Sequence, residues 1–523
     1  MDAITHAAIT GTSREAAPAR DLTTDDLLGS VQDRSPERDL LLRAGMYAVY
    51  RDAGRKAETG IRSPKPAQEE TFPACSTRAA EVVKQLLASR RDDILREALE
   101  RLRLAGLRLP HALLPLALDV QQRELRAAVI AVLGERGRWL ARFNPAWRWV
   151  DLQADAGTAE VDEATWEEGS LSQRLDALSR VRGLDPAQGL RWVDEVWKTE
   201  KADARAGMVA ALETGISSGD EPLLERALDD RSVRVREAAA GLLARIPGSA
   251  YAGRAIARAD TVLAGYAPPT SGLLRGRRVG RFILETPENV DGGWMRDLPG
   301  VDKAPQGMWK KAWRITRAIA AVPPAHWEER FSVGPFELVS AARGDWETAL
   351  LTGWCRATSA HQTGSWALPL WEHCYNSPHS SEGEMVWDAA LPLAGLLSSA
   401  DLAEAFPRLV GNGVMPSRLA NTLRSLPGPW DEPFSDVYLA ALQKMYVNAS
   451  SADSAASSWP DTLQAGAGRL SVSCLARFEA RMPVFTEEEN GPYEYRKRHW
   501  RQELEKFGET LDLRRKLVEE MPL

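Results

Sequence analysis

LDDRSVRVREAAAGLLARIPGS, residues 228–249, reads as a short helix with its start and stop signals in place. Val235, Ala238, Ala239, Leu242 and Ile246 recur at helical spacing on one face. Ser232 stands where an N-cap belongs, and Asp229 and Asp230 put negative charge where the helix dipole is positive. Pro247 and Gly248 end the segment. The preceding DEPLLERALDD (220–230) reads as a shorter amphipathic helix that starts at Asp220 with Pro222 in its first turn. Two short helices with a tight joint cannot bury their apolar faces alone, so copies are expected beside them.

Copies are found. Arg236 is preceded 31 residues earlier by Arg205, and Arg205 by Arg174 at the same interval. The third residue after each Arg is Ala177, Met208 or Ala239. The fourth is Leu178, Val209 or Ala240, and the seventh is Val181, Leu212 or Leu243. A period of this size with two helices per period predicts an all-α fold, an α-solenoid of helix pairs. LPHALLPLALDV (109–120) followed by RELRAAVIAVLGERGRWLA (123–141) is a looser relative of the same unit. The second helix of the 228–249 unit is similar to that of HEAT-type repeats at Asp230, Val235, Arg236, Ala239 and Leu242. That resemblance implies that Asp230 and the repeated arginines Arg174, Arg205 and Arg236 tie neighbouring units together.

Further landmarks are AITGTSRE (8–15), GERGRWLARFNPAWRWV (134–150), RVRGLDP (180–186) and IPGSAYAGR (246–254). Together with the 220–239 segment they resemble a bacterial domain-of-unknown-function family, number 5691. Members of that family are generally encoded near MoxR-type AAA+ ATPases, von Willebrand factor A-domain proteins and SWIM zinc-finger proteins. The resemblance therefore implies an accessory role beside such partners and carries no catalytic residue with it.

The chain has 523 residues, too many for one ordinary core, and its 44% hydrophobic and 27% charged content is that of a globular protein. A net charge of −7 argues against a surface given over to nucleic acid. Only 12 of the 66 basic residues are Lys, a bias that reflects codon usage better than a binding code. Four cysteines suit a reducing compartment, and MDAITHAAIT lacks the features of a secretory signal, so a cytoplasmic location is expected. The 18 Trp outnumber the 9 Tyr and the 10 Phe. In WVDEVW (192–197) and WKKAWRIT (309–316) they are expected as wedges between packed helices.

Four regions follow: an N-terminal helical block over 1–150 with an exposed loop at 52–78, the 31-residue repeats over 151–260, an irregular or β-hairpin insertion over 261–308, and helical repeats over 309–523. VGRFILET within the insertion is strand-like, which places the hairpin near 275–300. The acidic run 151–170 is read as a solvated linker. The final charged segment, 494–521, has a thin apolar stripe and is expected to cap the end of the array with a polar outer face.

Two clusters carry candidate chemistry. Ten basic against five acidic residues lie between Arg275 and Arg317, and Arg275, Arg277, Arg278, Arg281, Lys310, Lys311, Arg314 and Arg317 form a candidate basic patch. It suits phosphates or an acidic partner, or pairing with the 151–170 run. Cys355, His361, His373, Cys374 and His379 crowd into 25 residues and are the candidate metal ligands, although adjacent His373 and Cys374 point to different helix faces. P-loop, G-x-S-x-G, H-E-x-x-H and paired C-x-x-C motifs are lacking. The sequence thus favours a non-enzymatic scaffold that needs no cofactor and presents a surface to a protein partner. A HEAT-like nucleic-acid binder is the alternative, and a metal-dependent enzyme the second.

Overall fold

A computed structural model describes residues 64–89, 91–150, 159–269, 280–285, 288–378, 380–411, 416–426, 428–448, 459–475 and 494–521, with scattered positions between 35 and 49. The chain forms two compact units, 1–67 and 68–523. In the first, the described residues include short helical stretches such as 41–42 and 44–45. All of the elements below belong to the second.

The amphipathic segments after residue 76 become α1 (Thr77–Ser89), α2 (Asp92–Leu104), α3 (Leu114–Leu118), α4 (Arg123–Val132) and α5 (Gly134–Ala141). Their apolar faces form one core from Cys75 to Val150. The stretch before α1 is pinned. Cys75 donates its N–H to the Arg108 carbonyl at 2.9 Å. Glu70 accepts the N–H groups of Glu135 and Arg136 in the first turn of α5. Burial pushes the Glu70 carboxyl up, but those bonds and its His111 and Arg108 neighbours outweigh burial and leave the pKa lowered.

The 31-residue units become α6 (Ala159–Glu168), α7 (Leu171–Leu184), α8 (Pro186–Val196), α9 (Ala202–Ala211), α10 (Glu221–Ala227), α11 (Val233–Leu243) and α12 (Ala250–Val262). Helix α9 packs between α7 and α11, so the second helices of successive units stack side by side. Arg174, Arg205 and Arg236 are each the fourth residue of their helix. Arg174 reaches forward to Glu200 at 2.7 Å, and Arg205 to Asp230 at 2.8 Å. Both acids stand just before the helix of the next unit. Arg205 also donates to the Glu200 carbonyl, and Arg236 to the Asp230 carbonyl at 2.9 Å. Arg174 stacks over Trp166 and Arg205 over Trp197, so the aromatic partner repeats with the same period. Ser232 occupies the N-cap position of α11, but its hydroxyl makes no cap bond there. Asp230 takes that role in part by accepting the Ser232 N–H.

The insertion is a two-stranded antiparallel hairpin, β1 (Leu263–Ala267) with β2 (Arg281–Leu284). Its first strand precedes the expected 275–300 window, because Leu263–Ala267 continues directly from α12 and lacks the alternation that marked VGRFILET. Phe282 points inward against Trp354 and Phe331, which fastens the hairpin to the helices that follow. After the one-and-a-half turns of α13 (Gly292–Asp297) come α14 (Lys310–Ala320), α15 (Ala325–Phe331), α16 (Pro335–Ala341), α17 (Glu347–His361), α18 (Gly364–Tyr375) and α19 (Ser381–Ala390). Then follow α20 (Ser399–Gly411), α21 (Pro416–Ser425), α22 (Glu432–Asn448), α23 (Trp459–Ala467) and α24 (Glu494–Glu520). Trp327, Trp354, Trp366 and Trp371 are fully buried wedges in this region.

The last helix corrects an expectation. Helix α24 keeps an exposed charged face with Glu505, Lys506 and Glu509, but it does not simply close one end: it packs on α23 and on α1. Leu504, Phe507 and Leu511 enter the large core that runs from Trp166, while Leu517 and Met521 enter the N-terminal core. Its stripe looked thin because it is divided between two cores. Among the described residues, no helix is long and apolar enough to cross a membrane.

Candidate functional site

Helix α14 begins after Trp309, and Trp309, Trp313 and Arg317 follow one another every fourth residue, so all three share one face. Trp309, expected as a buried wedge, is instead 78% exposed. It sits at the N-cap position, outside the helix proper, where no neighbouring helix covers it. Trp313 is held in place by its indole N–H, which donates to the Gly300 carbonyl at 2.9 Å. Arg317 lies one turn on. It donates to the Pro299 carbonyl at 3.0 Å, and its Nε is buried without a partner.

The neighbouring helix α17 packs along α14 and supplies Arg356. The guanidinium carbons of Arg317 and Arg356 stand 5.6 Å and 5.1 Å from the centroid of the same Trp313 ring. Neither arginine forms an ion pair among the described residues. Burial pulls the Arg317 pKa below its ordinary value, against the favourable fields of Tyr251 and Glu237. Arg356 reaches solvent, yet crowding around its head and the charge of Arg317 lower its pKa too. Two like charges therefore share one aromatic ring, and among the described residues neither is ion-paired.

Two clefts flank this arrangement. One, of about 940 Å³, is bordered by Trp309, Lys310, Lys311, Asp345, Trp346 and Glu382. The other, of about 680 Å³, is bordered by Arg356, Ser359, Glu384, Met385 and Asp388. Met385, which borders the second cleft, lies close to Gly307, which borders the first. Glu384 is occupied by Arg418 at 2.6 Å. Asp388 lines the second cleft without reaching Arg356.

The patch expected from sequence is thus only partly one site. Lys310 and Lys311 are exposed at the first cleft and Arg317 lies behind Trp313. Arg314 turns to the Glu288 carbonyl, and Arg281 is exposed on the hairpin. Arg275, Arg277 and Arg278 lie outside the described residues. Arg281, Lys310, Lys311 and Arg317 make no ion pair with the acidic run among the described residues. Arg356 was not in the patch because it comes from another helix. The spacing of Trp309, Trp313 and Arg317 was the signal available for the rest.

The Cys/His cluster is dispersed. Cys355 and Cys374 meet at 3.8 Å between sulfurs in the core. His373 turns to Glu347 at 3.4 Å, and His361 is half-buried with an unpartnered Nε2. Burial, then the charge of Arg245, lowers the His361 pKa and keeps the ring neutral. His379 lies outside the described residues. Among the described residues, no group of three or more His, Cys, Asp or Glu is placed to hold a metal ion. The cause is the one visible in the sequence: neighbours on a helix diverge.

Among the described residues, a predominantly helical chain with one small antiparallel hairpin is the class that these elements define. The chain matches the family of unknown function DUF5691 over residues 3–521 and belongs to it. Neither a curated protein nor a solved structure matches it.

Proposed function

We propose that this chain is a non-enzymatic, cytoplasmic scaffold, an α-solenoid of HEAT-like helix pairs that presents an extended surface to a protein partner. The observation that carries this reading is the forward ladder Arg174–Glu200 and Arg205–Asp230, which joins successive units at two junctions with nearly the same offset. Stacking units in this way builds surface rather than a catalytic pocket. Proteins encoded beside relatives of this chain, MoxR-type AAA+ ATPases, von Willebrand factor A-domain proteins or SWIM zinc-finger proteins, are the partners to try first. The decisive experiment is size-exclusion chromatography of the purified chain with each purified candidate. Co-elution at fixed stoichiometry supports the reading; separate elution of all of them over micromolar concentrations removes it.

Nucleic-acid binding is favoured by one observation, the exposed Trp309–Lys310–Lys311 run beside a cleft. Asp345 and Glu382 on the same walls oppose it, since a phosphate backbone requires a row of uncompensated cations.

A further inference from the structure

We propose that Arg317 and Arg356, set over Trp313, form a receptor for a carboxylate side chain in an acidic segment of a partner protein. This deepens the scaffold reading by naming the chemistry of the partner and the place where it docks.

The most deeply buried arginines of this protein are matched by an acid. Arg182 meets Asp220, Arg418 meets Glu384, and Arg514 meets Glu97, all within 3 Å. Arg317, half-buried, and Arg356, exposed at its cleft, carry no such pair among the described residues. Both approach the same indole, and among the described residues neither makes an ion pair, Glu237 acting on Arg317 only through its field. Removing charge from water without an opposite charge is costly, and a second like charge adds to the cost. A carboxylate in the cleft that Arg356 borders would pair with Arg356 directly and offset the charge of Arg317 across the shared ring. A guanidinium presents paired N–H donors that match a carboxylate, and the indole face holds the forks in place from behind. The unpartnered Nε of Arg317 gives that side one more donor to satisfy.

The walls decide between macromolecules. Glu382, Glu384, Asp345 and Asp388 border the two clefts, so a continuous polyanion would meet repulsion on both sides of the arginine pair. A peptide places its carboxylates singly. It can lay apolar side chains between them, and Trp309, Trp346 and Met385 offer the matching surface.

The test is fluorescence anisotropy with the full chain and a fluorescein-labelled peptide that alternates Glu with Leu and Gly. Parallel arms use the same peptide with Gln in place of Glu, and a labelled single-stranded oligonucleotide. The expected result is binding of the Glu peptide alone, weakened about tenfold or more by Arg356→Gln. Arg356 is exposed and, apart from its contact with Trp313, makes no hydrogen bond or ion pair among the described residues, so this variant should keep the wild-type circular dichroism and nearly the wild-type Tm. Arg317→Gln should weaken binding in the same way, and Arg356→Lys should retain part of it. The proposal is overturned by no binding of the Glu peptide, by equal binding of the Gln peptide, or by indifference to Arg356→Gln. Tighter, Arg356-dependent binding of the oligonucleotide overturns it in favour of nucleic acid. Peptide failure with intact co-elution of a partner sinks only this site; loss of co-elution with peptide binding intact sinks the scaffold reading instead.

Discussion

Arg514 and Glu97 are 417 residues apart in the chain, yet Arg514 Nε donates to Glu97 Oε2 at 2.8 Å. Arg514 is fully buried and also donates to the carbonyls of Ala467 and Leu470, so one side chain joins α24, α23 and α2. Breaking a buried pair of this kind costs about 3–5 kcal/mol. Arg514→Ala should lower the unfolding free energy by that order, and hydrogen exchange should quicken in α1 and α2 before it does in α9 and α11. Uniform loss of protection along the chain would show that the two ends are not held at this point.

Leu517 tests the same closure without charge. It is fully buried in the N-terminal core although it belongs to the last helix. Leu517→Ala is expected to cost about 2–5 kcal/mol, measured by urea unfolding. A cost below about 1 kcal/mol would mean that α24 contributes little to that core.

The forward ladder makes a sharper prediction, because two ion pairs between the same neighbouring units differ in burial. Arg205 and Asp230 are largely shielded, whereas Arg234 and Asp203 are about 80% exposed, at 79% and 82%. A double-mutant cycle to Ala should give about 1–3 kcal/mol of coupling for Arg205–Asp230. For Arg234–Asp203 it should give only a few tenths of a kcal/mol. Equal coupling in the two cycles would remove the ladder's structural weight.

Asp297 sets an acid limit. Burial pushes its carboxyl up, but hydrogen bonds from Arg254 and Arg258 and their charges prevail, so the folded pKa is lowered. A lowered folded pKa means stability that is present above the unfolded value, about 3.9, and is lost as pH falls through the folded one. Asp297→Asn should therefore destabilise by about 3 kcal/mol at neutral pH, with the gap to wild type closing below about pH 4. A gap that does not change with pH would assign the loss to packing alone.

Cys355 and Cys374 should be inert. Both are fully buried, and burial, then the neighbouring Cys355 sulfur, raises the Cys374 pKa well above the ordinary thiol value. Thiolate, the reactive form, is accordingly scarce. Mass spectrometry after brief iodoacetamide treatment should find both unmodified in the native chain and fully alkylated in guanidinium. Rapid native labelling would point to an open core at α17 and α18.

The repeat was legible because its geometry is local. Arg174, Arg205 and Arg236 recur with the period of the helices, and the residues three, four and seven positions later are the ones that face the core. Contacts between distant segments left no such trace. Nothing around Glu97 announces Arg514, and nothing in the run from Arg275 to Arg317 announces Arg356. The charge excess drew attention to Lys310 and Lys311, but the electrostatic demand sits one turn further on, where Arg317 and Arg356 share Trp313. The shared ring separates those two cases, and it depends on which helices become neighbours. For the same reason Trp309 looked like a wedge and is a surface residue.

The most direct measurement of the scaffold reading is an affinity pull-down of the tagged chain from native cytosol at moderate salt, with nuclease-treated and untreated arms read by mass spectrometry. Stoichiometric recovery of a MoxR-type AAA+ ATPase or a von Willebrand factor A-domain protein in both arms is the expected result. Recovery of neither, or recovery that disappears with nuclease, would contradict it.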